Sequence, residues 1–547
     1  MASLDYGLLT PEFMLLGLMF LVLFLDLVFA ERGRWLIPWV TIVGLLVVLV
    51  VGGWTWGIRA TFADLLRVDE YTSFFRVLFA VVALGVVFVS MPYVPRFLPH
   101  QGEYYALVLA GTLGMVIMAM ADELLTAYIS LELLSFSSYI LVSYAKRDLK
   151  SNEAGIKYLI IGGLSSALLL YGISLLYGAT GTTKFPAIAQ AIQAPGALDS
   201  PGLLVALALI TVGLGFKVAA VPFHMWTPDV YEGAPTPIAA YLAVGSKAAG
   251  FALVVRFLVG GLLPAVESWL PVFAVLAVLT MTVGNLVAIH QRNLKRLLAY
   301  SSISQAGYVL VGIAALQDGD IGAMATRGIV LHLAGYVFTN LAAFGALIVF
   351  ESRTGRTDIR DLAGVGRQSP FIALTLMVSV FSLAGMPLFA GFVTKFYLFT
   401  AAARADLLWL VAIAVINSTI SLYYYLIVVK EMYVGEARPG LLSLQRPQGL
   451  LTGIALAAGV VAGIVVWVSL GASGWIYDFY GPTLPVTIAV GSGGLVATLV
   501  GLAFGVFELP LAAMLAGVFV LGLYPYPVLD LLGDVSSAVF TATAALS

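Results

Sequence analysis

Apolar runs of about twenty residues follow one another along almost the whole of this chain, and no other feature constrains its fold so tightly. A run of that length crosses a hydrocarbon core of ~30 Å as an α-helix. Lipid offers no partner to an open sheet edge, so the spans must be helices. Runs lie near 7–30, 36–57, 73–94, 104–121, 123–145, 155–178, 203–226, 236–260, 270–290, 296–316, 326–351, 370–400 and 405–433, and again near 449–470, 486–507 and 509–527. Composition agrees, with 61% hydrophobic and 10% charged residues in 547, where a soluble domain carries about 25% charged. The fold class is all-α, polytopic and membrane-embedded.

The basic residues orient it. Connections after odd-numbered spans hold sixteen Lys and Arg, from Arg32 to Arg446, whereas those of the other parity hold seven, among them Arg76 and Arg256. By the positive-inside rule the odd connections face the cytoplasm and both termini lie outside. The amino terminus, MASLDYGLLTPEF, lacks a positive n-region and a small-residue cleavage site, so the first span is expected to be retained.

Two spans are interrupted. The seventh carries Pro222, which removes a helical hydrogen bond and crowds the preceding turn. The twelfth reads SLAGMPLFAGFVTKF, with Gly385, Pro387 and Gly391 in mid-membrane. The interruptions are five spans apart. That odd offset implies a repeat of inverted topology over spans 4–8 and 9–13, and paired broken helices in two such halves point to a transport site. The expected divisions are 1–103, three leading spans; 104–260, the first repeat; 261–433, the second; and 434–547, the remaining spans with a two-helix insertion at 449–507.

Four lysines, Lys157, Lys217, Lys247 and Lys395, fall inside spans. Each costs roughly 2.5–3.5 kcal/mol to insert. Snorkelling toward the membrane surface accounts for Lys157, near its helix start, better than for the other three. Glu132, in AYISLELLSFSSYIL, is the carboxylate deepest in a central span and a candidate counter-charge. Making or breaking a buried Glu–Lys contact changes proton affinity by about 3–4 kcal/mol. Moving one charge against ~150 mV costs about 3.5 kcal/mol. The two are matched, so such a contact can drive a proton; a structural ion pair is the plainer reading.

His224 follows Lys217 beyond the proline, either as a proton relay or as a partner for carbonyls freed by the break. His332 is mid-span and suits a polar path. Asp229 and Glu232 stand at the mouth of the broken segment as access or relay groups, or as caps of a half-helix. Glu12 is a candidate contact to another subunit. The absence of cysteine excludes disulfides and thiolate-ligated clusters. No His, Asp and Glu grouping has metal-ligand spacing, no phosphate loop or basic nucleic-acid patch occurs, and no resident cofactor is expected.

These residues lie in motifs that resemble one family. TPDVYEGAPTPIAAYLAVGSKAAGFA, NLKRLLAYSSISQAGYVL, GMPLFAGFVTKFYLF, the stretch from SLELLSFSSYIL through EAGIKY, and GLYPYPVLDLL occur in the order seen in the antiporter-like subunits of proton-pumping NADH:quinone oxidoreductase, respiratory complex I, and most resemble its subunit N. The resemblance implies fourteen core helices in two inverted five-helix repeats with helices 7 and 12 broken, plus about two extra carboxy-terminal spans here. It implies proton conduction in a membrane arm, with NAD, flavin, iron–sulfur clusters and quinone held by partner membrane-arm and peripheral-arm subunits. Glu132 matches the glutamate of helix five, Lys157 the lysine of helix six, Lys217 its helix-seven partner, Lys247 the central lysine of helix eight and Lys395 the lysine of helix twelve. Gln305 stands where many relatives carry histidine. A bacterial inner membrane is the expected location. A Na⁺ or K⁺/proton antiporter is the alternative, and a membrane-arm scaffold without transport is a third.

Overall fold

The computed structural model of the chain describes residues 5–29, 34–436 and 509–544. Eleven helices among them are long and apolar enough to cross a membrane, and twelve if a bent carboxy-terminal pair counts as one span. The chain begins with α1 (Thr10–Phe29), α2 (Leu36–Trp54), a hairpin of β1 (Ala60–Phe62) and β2 (Leu66–Val68), α3 (Glu70–Ser90) and the single turn α4 (Val94–Phe97). Then come α5 (Gln101–Met120), α6 (Leu124–Val142), α7 (Leu149–Thr180), α8 (Phe185–Ala191), α9 (Pro201–Val218), α10 (Trp226–Gly233), α11 (Thr236–Tyr241) and α12 (Lys247–Gly261). The remainder comprises α13 (Val266–Ala288), α14 (Leu294–Ile313), α15 (Asp320–Thr354), α16 (Val365–Gln368), α17 (Pro370–Ala384), α18 (Ala390–Arg404), α19 (Leu408–Val434), α20 (Leu509–Leu523) and α21 (Tyr526–Ala544).

Every span expected up to residue 433 has a helix. The seventh divides into α9 and α10, and the twelfth into α17 and α18. The run at 509–527 ends at Leu523, and a bend of 80° leads into α21, whose alanines, serines and threonine gave too weak an apolar signal to be read as a span. The expected spans at 449–470 and 486–507 lie outside the described residues. Helix α7 starts at Leu149, so Lys157 sits two turns in rather than at the helix start.

At the centre of the bundle run Thr236–Gly261, wholly buried, and α15, almost so. Two loop pairings brace the layers around them. Leu124 donates its N–H to the Thr183 carbonyl at 2.9 Å, and Phe185 to Asp122 at 3.0 Å. At a second corner Leu294 donates to Thr357 at 2.9 Å, and Ile359 to Arg292 at 2.9 Å. At each corner a polar side chain caps the following helix, Glu123 accepting from Thr126 and Asn293 from Arg296. Each also has a left-handed glycine before the second strand of backbone, Gly181 at φ 71° and Gly355 at φ 70°.

Arg76 and Arg256, assigned by their position to connections and span ends, are instead buried within helices. An arginine in lipid needs an internal partner, and both have one. Arg76 pairs with Glu12 at 2.7 Å, which makes Glu12 an internal contact and not a free one. Arg256 forks onto Asp69 at 2.5 and 2.9 Å, reaches Thr72 at 3.0 Å and lies 4.7 Å from the Tyr71 ring. This bidentate pair binds α12 to the start of α3. Removing one partner of a buried pair costs about 3–5 kcal/mol because the other charge is stranded. Arg256→Met is therefore expected to lower the melting temperature of the detergent-solubilised protein, and Asp69→Asn with Arg256→Met together to lower it less; a larger loss in the double variant, equal to the sum of the two single losses, would show that the charges act independently.

Candidate functional site

The site is built where helices stop inside the bundle. Helix α9 ends at Val218, and Ala219 turns the chain with φ 60°. The Phe216 carbonyl takes the Ala219 N–H at 3.1 Å and also accepts the Trp226 indole N–H at 3.1 Å. Lys217, in the last turn, is 1% exposed and its stem packs on Gly250 of α12. Its ammonium donates to the Ser135 hydroxyl at 3.0 Å. Ser135 spends its own hydrogen on the Leu131 carbonyl at 2.7 Å, so its oxygen is left to accept.

Glu132 is one helical turn before Ser135, half-buried, and accepts from Ser166 of α7. Among the described residues no ion pair within 4 Å joins Glu132 to Lys217. The two charges face each other across a serine. Ser135 and Ser166 did not enter the sequence reading, although the three-residue spacing from Glu132 to Ser135 puts both on one face.

Lys247 opens α12 directly after a π-helical turn, Leu242–Ser246, the kind of local bulge that gathers at functional sites. It is 2% exposed, and among the described residues its ammonium nitrogen has no hydrogen-bond partner. Among the same residues the hydroxyls of Ser246, Tyr158, Thr227 and Tyr231 and Nδ1 of His224 are also buried without partners. Both readings of His224 stand: its ring bonds backbone at Pro222 within the break, while its Nδ1 is buried without a partner among the described residues.

The second break repeats the chemistry. Helix α17 ends at Ala384, followed by Gly385 at φ 86°. The freed Leu383 carbonyl accepts from two side chains, Lys395 at 2.8 Å and Gln305 at 2.8 Å. Lys395 also donates to Ser418 at 3.0 Å and lies 4.2 Å from the Tyr308 ring centroid. Ser418 spends its hydrogen on the Ala384 carbonyl at 2.9 Å. His332 bonds Thr394 through Nδ1 at 3.0 Å, and its Nε2 is buried and unpartnered.

Lys157 differs from the other three. Its side chain is 42% exposed and pairs with Glu153 and Asp229, each at 2.8 Å. Asp229 also takes Arg296 at 2.7 Å, and Glu232 takes Arg296 at 3.1 Å and Lys150 at 3.4 Å. These six ionic side chains line an open cleft of about 140 Å³. Asp229 and Glu232 thus stand in a salt-bridged mouth; α10 takes no side-chain cap from either. Asp229 lies between the apolar spans. Burial pushes its carboxyl up, and Lys157 and Arg296 outweigh that to hold it below the usual carboxylate range.

Fold and site together are those of an antiporter-type membrane protein. Residues 121–421 match the profile of the family described as NADH:quinone oxidoreductase/Mrp antiporter, transmembrane. The NADH-quinone oxidoreductase subunit N of Trichlorobacter lovleyi is 40% identical over 468 residues, 85% of this chain and 95% of that protein. The subunit of the same name from Moorella thermoacetica is 46% identical over 383 residues, 70% of this chain and 79% of the relative. Among solved structures, a chain of respiratory complex I from Thermus thermophilus with bound aureothin superposes with a TM-score of 0.66 at 30% identity, over 91% of this chain and 98% of that one. The chain belongs to the NADH:quinone oxidoreductase/Mrp antiporter family.

Gly385 allows a direct test of the second break. An added Cβ there would lie 3.2 Å from Lys395 Cδ and 3.5 Å from its ammonium, whereas one on Gly181 meets nothing within 4 Å. Both positions are left-handed, so alanine costs roughly 1–2 kcal/mol of backbone strain at each. Gly385→Ala is expected to impair proton transfer in membrane vesicles and Gly181→Ala to leave it near the parental rate. Equal effects would mean that strain alone, and not the lysine's position, matters.

Proposed function

We propose that this chain is a proton-translocating subunit in the membrane arm of an NADH:quinone oxidoreductase, moving protons through Lys217, Lys247 and Lys395 while partner subunits carry NAD, flavin, iron–sulfur clusters and quinone. One observation carries the reading. Among the described residues, each of these lysines is buried at or beside a helix interruption, and none has a carboxylate within 4 Å. A lysine held only by neutral oxygens, or by none, is placed to exchange a proton rather than to lock two helices together.

Glu132 modulates Lys217 through Ser135, and Asp229 and Glu232, with Lys157, form the cytoplasmic access mouth. His224 lies between that mouth and Lys247, and His332 between Lys247 and Lys395. The chain itself has no redox site in this reading. Fourteen core helices in two inverted repeats, 104–260 and 261–433, follow three leading helices in 1–103, and 434–547 holds the remainder. The matched loop corners at Glu123 and Asn293, on opposite membrane faces, support the inversion. A bacterial inner membrane with both termini outside suits the charge asymmetry.

Lys217→Met keeps the stem and removes the proton carrier. Protons moved per NADH oxidised by the assembled complex in inverted vesicles are expected to fall, since losing a positioned proton carrier slows its transfer step by about 10²-fold or more. Normal pumping at normal assembly would sink the reading. The family's Mrp members favour one alternative, cation/proton antiport. Na⁺- or K⁺-dependent proton exchange in vesicles without NADH, abolished by the same variant, would establish it. For orientation, Asp64→Cys is expected to react with an impermeant thiol reagent added to intact cells, and Arg147→Cys only after permeabilisation.

A further inference from the structure

Between Lys247 and Lys395 the structure places a row of hydroxyls that the sequence reading did not single out. Tyr231, from α10, is fully buried, and its hydroxyl faces Ser302 of α14 without closing a hydrogen bond. Ser302, also fully buried, accepts from the Tyr336 hydroxyl of α15 at 2.7 Å and donates to no group among the described residues. Tyr336 lies one turn beyond His332 on the same helix, and the two rings stack at 6.4 Å with 16° between their planes. On the near side, Tyr158 stacks on Trp226 at 4.6 Å, and its hydroxyl, buried and unpartnered, faces Ser246 beside Lys247.

Packing alone does not account for this row. A buried tyrosine hydroxyl without a partner costs about 1–3 kcal/mol, and phenylalanine would fill the same space without that cost. Two such hydroxyls, on Tyr158 and Tyr231, flank the route from Lys247, and Ser302 keeps a hydrogen to give. Buried polar atoms of this kind are normally satisfied by ordered water.

The far end offers an acceptor in one tautomer. Thr394 Oγ1 meets the Gly391 carbonyl at 3.3 Å and Nδ1 of His332 at 3.0 Å; with the threonine hydrogen on the carbonyl, the hydrogen of the histidine bond belongs to Nδ1. Nε2 then carries the lone pair of the neutral ring. It is buried and unpartnered.

We propose that Tyr231, Ser302 and Tyr336 are the proton relay that joins the two halves of the bundle, passing protons between the Lys247 side and Nε2 of His332. Each hydroxyl accepts one proton and releases its own to the next oxygen, so no net charge rests on the row. After one passage every hydroxyl points backward and must turn before the next. The Tyr336-to-Ser302 bond points back toward Tyr231, so the Tyr336 hydroxyl must turn before it can donate toward His332.

This inference rests on the proton-translocating reading, and the test separates the two. Tyr231→Phe and Tyr336→Phe remove one oxygen each and keep the rings that pack on Phe344 and His332. Protons moved per NADH oxidised are measured for each in inverted vesicles containing the assembled complex, beside Lys217→Met and Lys395→Met. Both tyrosine variants are expected to lower that ratio, the relay step slowing by about 10²-fold. Normal ratios in both, with the lysine variants defective, would overturn the relay and leave the function standing. Normal ratios in the lysine variants as well would overturn the function itself. If a tyrosine variant does not assemble, Ser302→Ala, which deletes a single oxygen, is measured in its place; a normal ratio there overturns the relay.

Discussion

A carbonyl without a helical partner cannot be left bare in the middle of a membrane, where each unsatisfied backbone group costs several kcal/mol. The second broken helix exposes such a carbonyl at Leu383, the first gives one of its last carbonyls a second donor, and the site follows from how they are covered. The Phe216 carbonyl takes the Ala219 N–H and the indole of Trp226, and the neighbouring Lys217 is directed at Ser135. The Leu383 carbonyl takes Lys395 and Gln305 together. In the second half the donor that covers the break is itself the candidate proton carrier, so the interruption and the lysine are one device. A glutamine amide beside it cannot carry a proton, but it keeps the carbonyl partly satisfied if Lys395 moves away.

The two halves meet through the short segment that follows the first break. Gly233 has no side chain because the Lys150 carbonyl and the Ala154 methyl of α7 occupy that space, at 2.5 and 2.6 Å from where a Cβ would be. From the other side Lys295 of α14 donates to the Ala234 carbonyl at 2.7 Å, and the neighbouring Arg296 reaches Asp229 and Glu232. Residues 229–234 are thus held between a helix of the first half and a helix of the second. The individual exposed ion pairs contribute little stability, about 0–1 kcal/mol each. Their joint geometry fixes which side chains share the cytoplasmic mouth, and α14, which supplies Arg296, also carries Ser302 and Gln305 deeper in the bundle.

Much of this was legible from residue types. Span positions follow from hydropathy because helix is the available form in lipid, and the breaks follow from Pro222, Gly385, Pro387 and Gly391. Lys217, Lys247 and Lys395 stood out by the cost of burying them. What escaped was chemistry carried by neutral residues. Ser135, Ser418, Thr394 and Ser302 are ordinary in apolar helices, where a serine usually bonds its own helix four residues back. Only the fold shows which of those oxygens also accept from a neighbouring helix. Charge without position misled in the other direction: Lys157 reads as intramembrane yet lies half-exposed in an ion-pair cluster, while Arg76 and Arg256, counted with the connections, are buried with their own acids.

The serines explain why the lysines can be both held and released. Ser135 and Ser418 each give their hydrogen to a backbone carbonyl, Leu131 and Ala384, and present the remaining lone pair to an ammonium. A carboxylate in that place would form a bond roughly twice as strong and would keep the proton on the lysine. A neutral oxygen orients the side chain with a weaker grip. Glu132, one turn from Ser135 and tied to Ser166, adds its charge at one remove, so a small shift of α7 at Ser166 alters the field on Lys217 without moving the serine that Lys217 bonds. Around Lys395 no carboxylate plays that part; the Tyr308 ring lies beside the ammonium, and an aromatic face attracts a cation without being able to take its proton. The two halves therefore share a way of holding a lysine and differ in what acts on it, a carboxylate at one remove in the first and an aromatic face in the second.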